Sequence, residues 1–268
     1  IQDPADSSYR GGFAVLARYQ VPFIRFCASG FWPTEWRLYQ TNHERYFQVC
    51  DAFVRAAEQQ GLGLLPSLFF RIETLPELCG EPLTAWGDPA SRTIELMHQY
   101  VSDVVPRYRG SPALWGWEFG NEFSLMVDKP NAAEQVAASK AHPQYGVPKR
   151  TERDILTSPV LLTALRLFAE AVRRHDGSHL LVTGNAVPRA TAWHNSASNA
   201  FVGDTKEQFQ EILARDNPDP YPVLCIHLYP DDFGAPKRIP YFSRESPASY
   251  GEVVRASGMT EVGVSSEM

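Results

Sequence analysis

Short apolar runs alternate with longer amphipathic segments along most of the chain, and this alternation limits the possible folds more than any other feature. The runs at residues 21–27 (VPFIRFC), 62–69 (LGLLPSLF), 113–119 (ALWGWEF), 179–183 and 223–227 (VLCIH) have strand length and near-continuous apolar character. Residues 261–266 form a candidate last strand. Between them lie segments with helical spacing. The segment 44–60 places Tyr46, Phe47, Cys50, Phe53, Val54 and Ala57 at that spacing, behind a Thr41-x-x-Glu44 capping box and ahead of a stop at Gly61. The segment 91–108 carries Ile94, Met97, Val101 and Val104 on one face, and a Ser158-capped segment carries Leu161, Leu162, Leu165, Phe168 and Val172. Residues 9–19, 205–214 and 246–256 complete the expected helices, and a long polar insertion, 124–157, separates the third strand from the Ser158 helix.

Strands that are apolar throughout, each followed by a helix, predict a parallel sheet covered by helices on its outer face. A chain of 268 residues has the length of a single α/β barrel domain, so residues 1–268 are read as one domain. Six strands are recognised, whereas a closed barrel of this type needs eight. The expected fold is therefore a (β/α)8 TIM barrel that is incomplete, with its first and last strands missing from the chain.

Composition narrows the function by exclusion. The net charge of −6 gives no basic footprint for nucleic acid, and no apolar stretch is long enough to span a bilayer. The four cysteines form no CxxC pair, which argues against a disulfide framework. The N-terminus lacks Met and shows no export signal, so such a signal is expected to have been removed or never included, and localisation is not legible. The seven histidines include no HExxH or closely spaced ligand pair, so no catalytic metal is expected. The absence of GxSxG, P-loop and GxGxxG motifs disfavours a serine hydrolase, a phosphate-loop enzyme and a dinucleotide enzyme.

Parallel barrels carry their chemistry where strands end at the carboxyl face. The third strand ends in WGWEFGNE, residues 115–122, placing the amide of Asn121 beside the carboxylate of Glu122. Arg25 lies on an early strand, the run 223–227 ends at His227 with Tyr229 just beyond it, and Glu267 follows the candidate last strand. Glycoside cleavage needs one carboxylic acid to protonate the leaving oxygen and a second carboxylate to attack the anomeric carbon. Glu122 fits the first role, and Asn121 could hydrogen-bond a sugar hydroxyl. Glu118, on the strand itself, is expected to pair with Arg25. Aromatic residues make up 12% of the chain, and Trp32, Trp36, Trp86 and Trp193 fall in expected loops, where they could serve either as sugar platforms or as packing.

The sequence WGWEFGNE, followed about a hundred residues later by IHLYP and preceded by IRF on an early strand, resembles the clan A glycoside hydrolases, especially family 5 cellulase- and mannanase-like enzymes. The resemblance runs from about Tyr9 to Tyr229. It implies a (β/α)8 barrel, retention of configuration, no cofactor and an oligo- or polysaccharide substrate. It also implies roles: Arg25 orients the nucleophile, Asn121 binds the sugar, Glu122 is the acid/base, and His227 and Tyr229 line the catalytic subsite. Trp32 and Trp193 are further candidates for substrate binding. The family places its nucleophilic Glu at the end of the seventh strand, which gives Glu267 that role, with a polar tail as the other reading. By the family's order the first and eighth strands are the missing ones. The rival reading is a truncated or inactive barrel that binds carbohydrate without turnover.

Overall fold

The computed structural model describes residues 6–227 and the backbone of residues 262–265. In chain order the elements are α1 (Tyr9–Arg18), β1 (Phe23–Cys27), α2 (Arg37–Thr41), α3 (His43–Gln60), β2 (Gly63–Phe69), α4 (Thr74–Cys79), α5 (Arg92–Tyr108), β3 (Gly116–Gly120), α6 (Ala132–Ala138), α7 (Ser158–Arg173), β4 (Leu180–Val182), α8 (Ala192–Ser198), α9 (Lys206–Asp216), β5 (Leu224–His227) and β6 (Val262–Ser265). Strands β1 to β4 form one parallel sheet in sequence order, and β5 pairs in parallel with β6. Six strands are thus present among the described residues, in the order and direction of an incomplete (β/α)8 barrel. The helix expected at 246–256 lies outside the described residues.

Local chemistry accounts for the element boundaries. Helix α3 is capped by Asn42, whose side chain accepts from the Arg45 amide at 3.0 Å. The capping box expected from Thr41 is not used, because the Thr41 hydroxyl donates instead to the Arg37 carbonyl and finishes α2. At the other end Gly61 adopts φ 63°, a left-handed stop that a side chain would strain. Ser91 caps α5 as expected, accepting from Ile94. Ser158 begins α7 but is not its cap. The Ser158 amide donates to Asp128 in the insertion at 3.0 Å, so a residue thirty positions away satisfies this helix end. Helices α4 and α8 span six and seven residues, too few turns to register as a periodic pattern.

The core lies between the outer face of the sheet and helices α5 and α7. Phe119 sits 5.1 Å from Phe168 and 5.3 Å from Trp86, ring centre to ring centre, and Phe69 approaches both Phe119 and Tyr100. Trp117, Phe119, Val101, Val105, Leu165 and Phe168 have no exposed surface. Burying each large apolar side chain contributes roughly 1.5–3 kcal/mol, so this layer dominates the stability of the sheet.

One polar group in that layer is fully satisfied. Asp176, in the turn after α7, accepts from the buried Trp117 indole N–H at 2.8 Å, from the backbone amides of Ser178 and His179 at 3.0 and 3.1 Å, and faces the His179 ring at 2.7 Å. Burial alone would raise its pKa, but these bonds hold the carboxyl well below the usual carboxylate range. Replacing Asp176 with Ala leaves the Trp117 N–H unsatisfied and should cost about 1–3 kcal/mol in urea melts at pH 7. Because the folded pKa is depressed, the contribution of Asp176 is complete above the unfolded value of about 3.9 and is lost as pH falls below it. The difference between wild type and Asp176→Ala should therefore shrink on acidification, and a constant difference down to pH 2 would contradict this account.

Candidate active site

The strand register places Arg25 and Glu118 on the inner side of the sheet near its carboxyl end, with Arg25 level with Leu65 and Glu118 level with Ser67. The Arg25 Nε donates to both carboxylate oxygens of Glu118, at 2.7 and 2.9 Å. Its Nη2 reaches the Gly120 carbonyl at 3.1 Å and the Asn121 side-chain oxygen at 2.9 Å. The two charged side chains are only 8% and 1% exposed, so the pair is desolvated and its geometry is held by several bonds at once. An arginine can only donate. Asn121 must therefore turn its oxygen towards Arg25, which leaves its NH2 group as a donor pointed elsewhere.

Glu122 follows in an unusual conformation, φ 56° and ψ 30°, which ends the strand and turns the chain into a short helical turn at Phe123–Leu125. For a residue other than glycine this left-handed geometry costs roughly 1–2 kcal/mol and persists only where the surroundings impose it. Here the Glu122 amide donates to the Gly184 carbonyl at 2.7 Å, just past the end of β4. Gly184 is itself at φ 72°, and a Cβ placed on it would lie 1.8 Å from the Gly120 carbonyl oxygen and 2.9 Å from the Glu118 carboxyl carbon. Only glycine allows the two strand ends to approach this closely. The Ser124 amide then donates to the buried Asn185 side chain, which in turn donates to Asp216.

The Glu122 side chain is 25% exposed and its Oε1 lies 3.0 Å from Nδ1 of His227, which is almost wholly buried at the end of β5. An imidazole suits a carboxyl group that changes protonation state. Its Nδ1–H donates to a carboxylate, and a bare Nδ1 accepts from a carboxylic acid. The Nε2 of His227 is buried without a hydrogen-bond partner among the described residues. Glu118, Cys225 and His227 bring ligand-type atoms within 4.8 Å of one another. The donor set does not suit a divalent cation, because both Glu118 oxygens are occupied by the Arg25 guanidinium and burial raises the Cys225 thiol pKa, keeping it protonated.

The structure therefore brings Arg25, Asn121, Glu122 and His227 together, with Glu118 as the anchor beneath them. Tyr229 and Glu267 lie outside the described residues. Strand β6 pairs Ser265 with His227, so the backbone leaves β6 at the level of the His227 end of β5. Two tryptophans expected to bind substrate are engaged by protein. Trp193 lies on α8 and donates its indole N–H to Glu211 on α9 at 3.0 Å. Trp32 is stacked on Tyr145 at 4.7 Å and has the Arg71 guanidinium 3.8 Å from its ring centre. Trp36 and Trp86 are core residues, each 1% exposed. Sequence reasoning missed Gly184. Its signal was the Thr183-Gly-Asn185 sequence directly after a strand, a place where glycine commonly marks a close backbone approach. A cavity of about 490 Å³ lies between the sheet and helices α3 and α5, lined by Phe26, Cys50, Phe53, Leu64 and Tyr100, and shares no lining residue with this site.

Solved structures with the same architecture include endo-1,4-β-mannanases. That of Thermotoga petrophila RKU-1 superposes with a TM-score of 0.60 at 14% identity, covering 94% of this chain and 73% of its own. That of Rhizomucor miehei gives 0.60 at 15% identity, covering 98% of this chain and 72% of its own. The chain shares the (β/α) barrel fold of these mannanases. A second T. petrophila mannanase structure, at 13% identity and a TM-score of 0.59, is covered over 56% of its length, so the chain spans little more than half of that protein. No protein-family model and no curated protein sequence matches the chain.

Two substitutions test the construction of the site. Arg25→Met leaves a buried carboxylate without its partner and should cost about 3–5 kcal/mol in denaturant unfolding. Gly184→Ala forces a Cβ into the Gly120 carbonyl and should lower the melting temperature by several degrees, whereas Gly177→Ala, where a Cβ meets nothing within 4 Å, should not. Equal melting of the two alanine variants would disprove the close-approach argument.

Proposed function

We propose that the protein is a retaining β-glycosidase that hydrolyses O-glycosidic bonds of a β-linked glucan, mannan or related oligosaccharide. The observation that carries this reading is the position of Glu122. It is a partly exposed carboxyl group at the carboxyl end of a central parallel strand, paired with a buried imidazole and flanked by an amide whose orientation Arg25 dictates. In this reading Glu122 protonates the departing glycosidic oxygen and then, as the carboxylate, removes a proton from the water that completes the reaction. His227 keeps Glu122 hydrogen-bonded in both states. The Asn121 NH2 group donates to a hydroxyl of the sugar at the reacting centre, an interaction that strengthens in the transition state. Arg25 supplies positive charge beside the position of the attacking carboxylate.

Retaining chemistry needs a second carboxylate roughly 5–5.5 Å from the first. Glu267 is proposed for this role because β6 runs parallel to β5 and its Ser265 is level with His227. The mannanases that share the fold act on β-1,4-linked mannan by their names, which supports a β-linked polysaccharide as the substrate class here.

Glu122→Gln should lower kcat on oligosaccharides with poor leaving groups by about 10²–10⁴-fold, and much less on aryl glycosides with activated leaving groups, which need no protonation. Equal losses on both substrates would remove Glu122 from the acid role. Glu267→Ala should abolish turnover of both, and a variant retaining activity on the aryl glycoside would show that the nucleophile lies elsewhere.

A further inference from the structure

The insertion between β3 and α7 is fastened across the loops that follow β1 and β2. Arg150 forms an ion pair with the buried Glu77 of α4, Asp154 accepts from the Leu83 amide at 2.9 Å, and the Arg153 carbonyl accepts from Thr84 at 2.9 Å. Within it, His142 and Val147 exchange backbone bonds at 2.8 and 3.2 Å, closing a tight turn that carries Tyr145. Gly146 adopts φ 78° behind Tyr145, and a Cβ there would be 3.0 Å from Pro33, so the turn lies directly against the loop after β1.

Tyr145 is the outer member of a continuous row of rings that starts at the site. The Arg25 guanidinium lies 5.2 Å from the Phe70 ring centre, Phe70 is 5.6 Å from Phe31, Phe31 is 5.2 Å from Trp32, and Trp32 is 4.7 Å from Tyr145. The Trp32 and Tyr145 rings are stacked and nearly parallel, 17° apart. A pyranose binds an aromatic residue by laying its C–H face on an open ring face. Trp32 offers little open face, because Tyr145 stacks on it and the Arg71 guanidinium covers it at 3.8 Å. Tyr145 is 41% exposed and rests on Trp32, which leaves it the ring of this row best placed to receive a ligand. Arg71 is in turn held by Glu73 at 3.3 Å, so the stack is supported from below.

We propose that Tyr145 is a stacking platform for a pyranose unit remote from the scissile bond, with Trp32 and Arg71 as its base, and that it favours longer chains over short ones. This rests on the glycosidase reading and adds a specificity-determining residue to it. It also predicts a division of labour: Arg25, Asn121, Glu122 and His227 act on the sugar at the reacting centre, whereas Tyr145 acts only when the substrate is long enough to reach it.

The test compares wild type, Tyr145→Ala, Tyr145→Phe and Trp32→Ala on an aryl β-mannoside and on β-1,4-linked mannose and glucose oligosaccharides from two to six units, with thermal melts of each variant. Tyr145→Ala should lower kcat/KM on the six-unit substrate about tenfold, through KM, and leave the aryl mannoside unchanged. Tyr145→Phe should retain wild-type values, and Trp32→Ala should follow Tyr145→Ala because it removes the base. A loss that is the same at every chain length, or no loss at any, overturns the inference while leaving the glycosidase reading intact. Tryptophan fluorescence titration with the six-unit oligosaccharides separates the two ideas further. Binding that weakens in Tyr145→Ala without turnover in wild type would sink the glycosidase reading and keep the platform, and absence of both binding and turnover would sink both.

Discussion

The buried contact between Arg25 and Glu118 is the constraint on which the rest of the site depends. It joins β1 to β3 across β2 through side chains alone, and both groups are out of water. A buried ion pair adds little net stability over well-packed apolar residues, because desolvation of the two charges offsets most of their attraction. What it supplies is direction. The guanidinium fork has one planar set of donors, and once two of its bonds are committed to Glu118 the remaining donors meet the Gly120 carbonyl and the Asn121 oxygen at fixed angles. The orientation of the Asn121 amide and the point where β3 ends both follow from it.

The second requirement is backbone proximity rather than charge. Glu122 can leave the strand in a left-handed conformation because its amide finds the Gly184 carbonyl, and Gly184 can come that close because it has no side chain. The strain at Glu122 is therefore borne by two adjacent strand ends, each satisfied by the other. His227 arrives from a separate strand pair and meets the Glu122 carboxyl group on its inner side. Four strands thus meet at the site, β1 through Arg25, β3 through Asn121 and Glu122, β4 through the Gly184 that follows it and β5 through His227, the way parallel barrels assemble chemistry at their carboxyl face.

The apolar layer beneath the site makes this precision possible. Trp117 and Glu118 are neighbours on β3 and point to opposite faces, so the packing of Trp117 against the helices, with its N–H held by Asp176, fixes the strand that carries Glu118. The insertion extends the same logic outward. Its polar composition reads as a loop, yet Asp128 satisfies the start of α7 and Arg150 pairs with Glu77, whose carboxyl group burial pushes up to about 7 in spite of the arginine. These contacts join the insertion to the barrel as a structural part of its rim.

Much of this was determined by the amino-acid sequence alone. The alternation of apolar runs and amphipathic segments and the strand-end position of Asn121 and Glu122 are local or periodic features, and hydrophobic periodicity reports them directly. Short elements were not legible, because α4 and α8 complete fewer than two turns or so and carry no repeating pattern. Helix caps were read one residue away from their true positions at α3 and α7, since the choice between Thr41 and Asn42, or the use of Asp128 for α7, depends on which neighbour is free to bond. The surroundings of Trp32, Trp193 and Tyr145 were set only by tertiary structure. A ring's availability to a ligand is set by what covers its faces, and the partners of Trp32, Arg71 and Tyr145, come from segments that no local pattern connects to it, as does Glu211, which takes the indole N–H of Trp193.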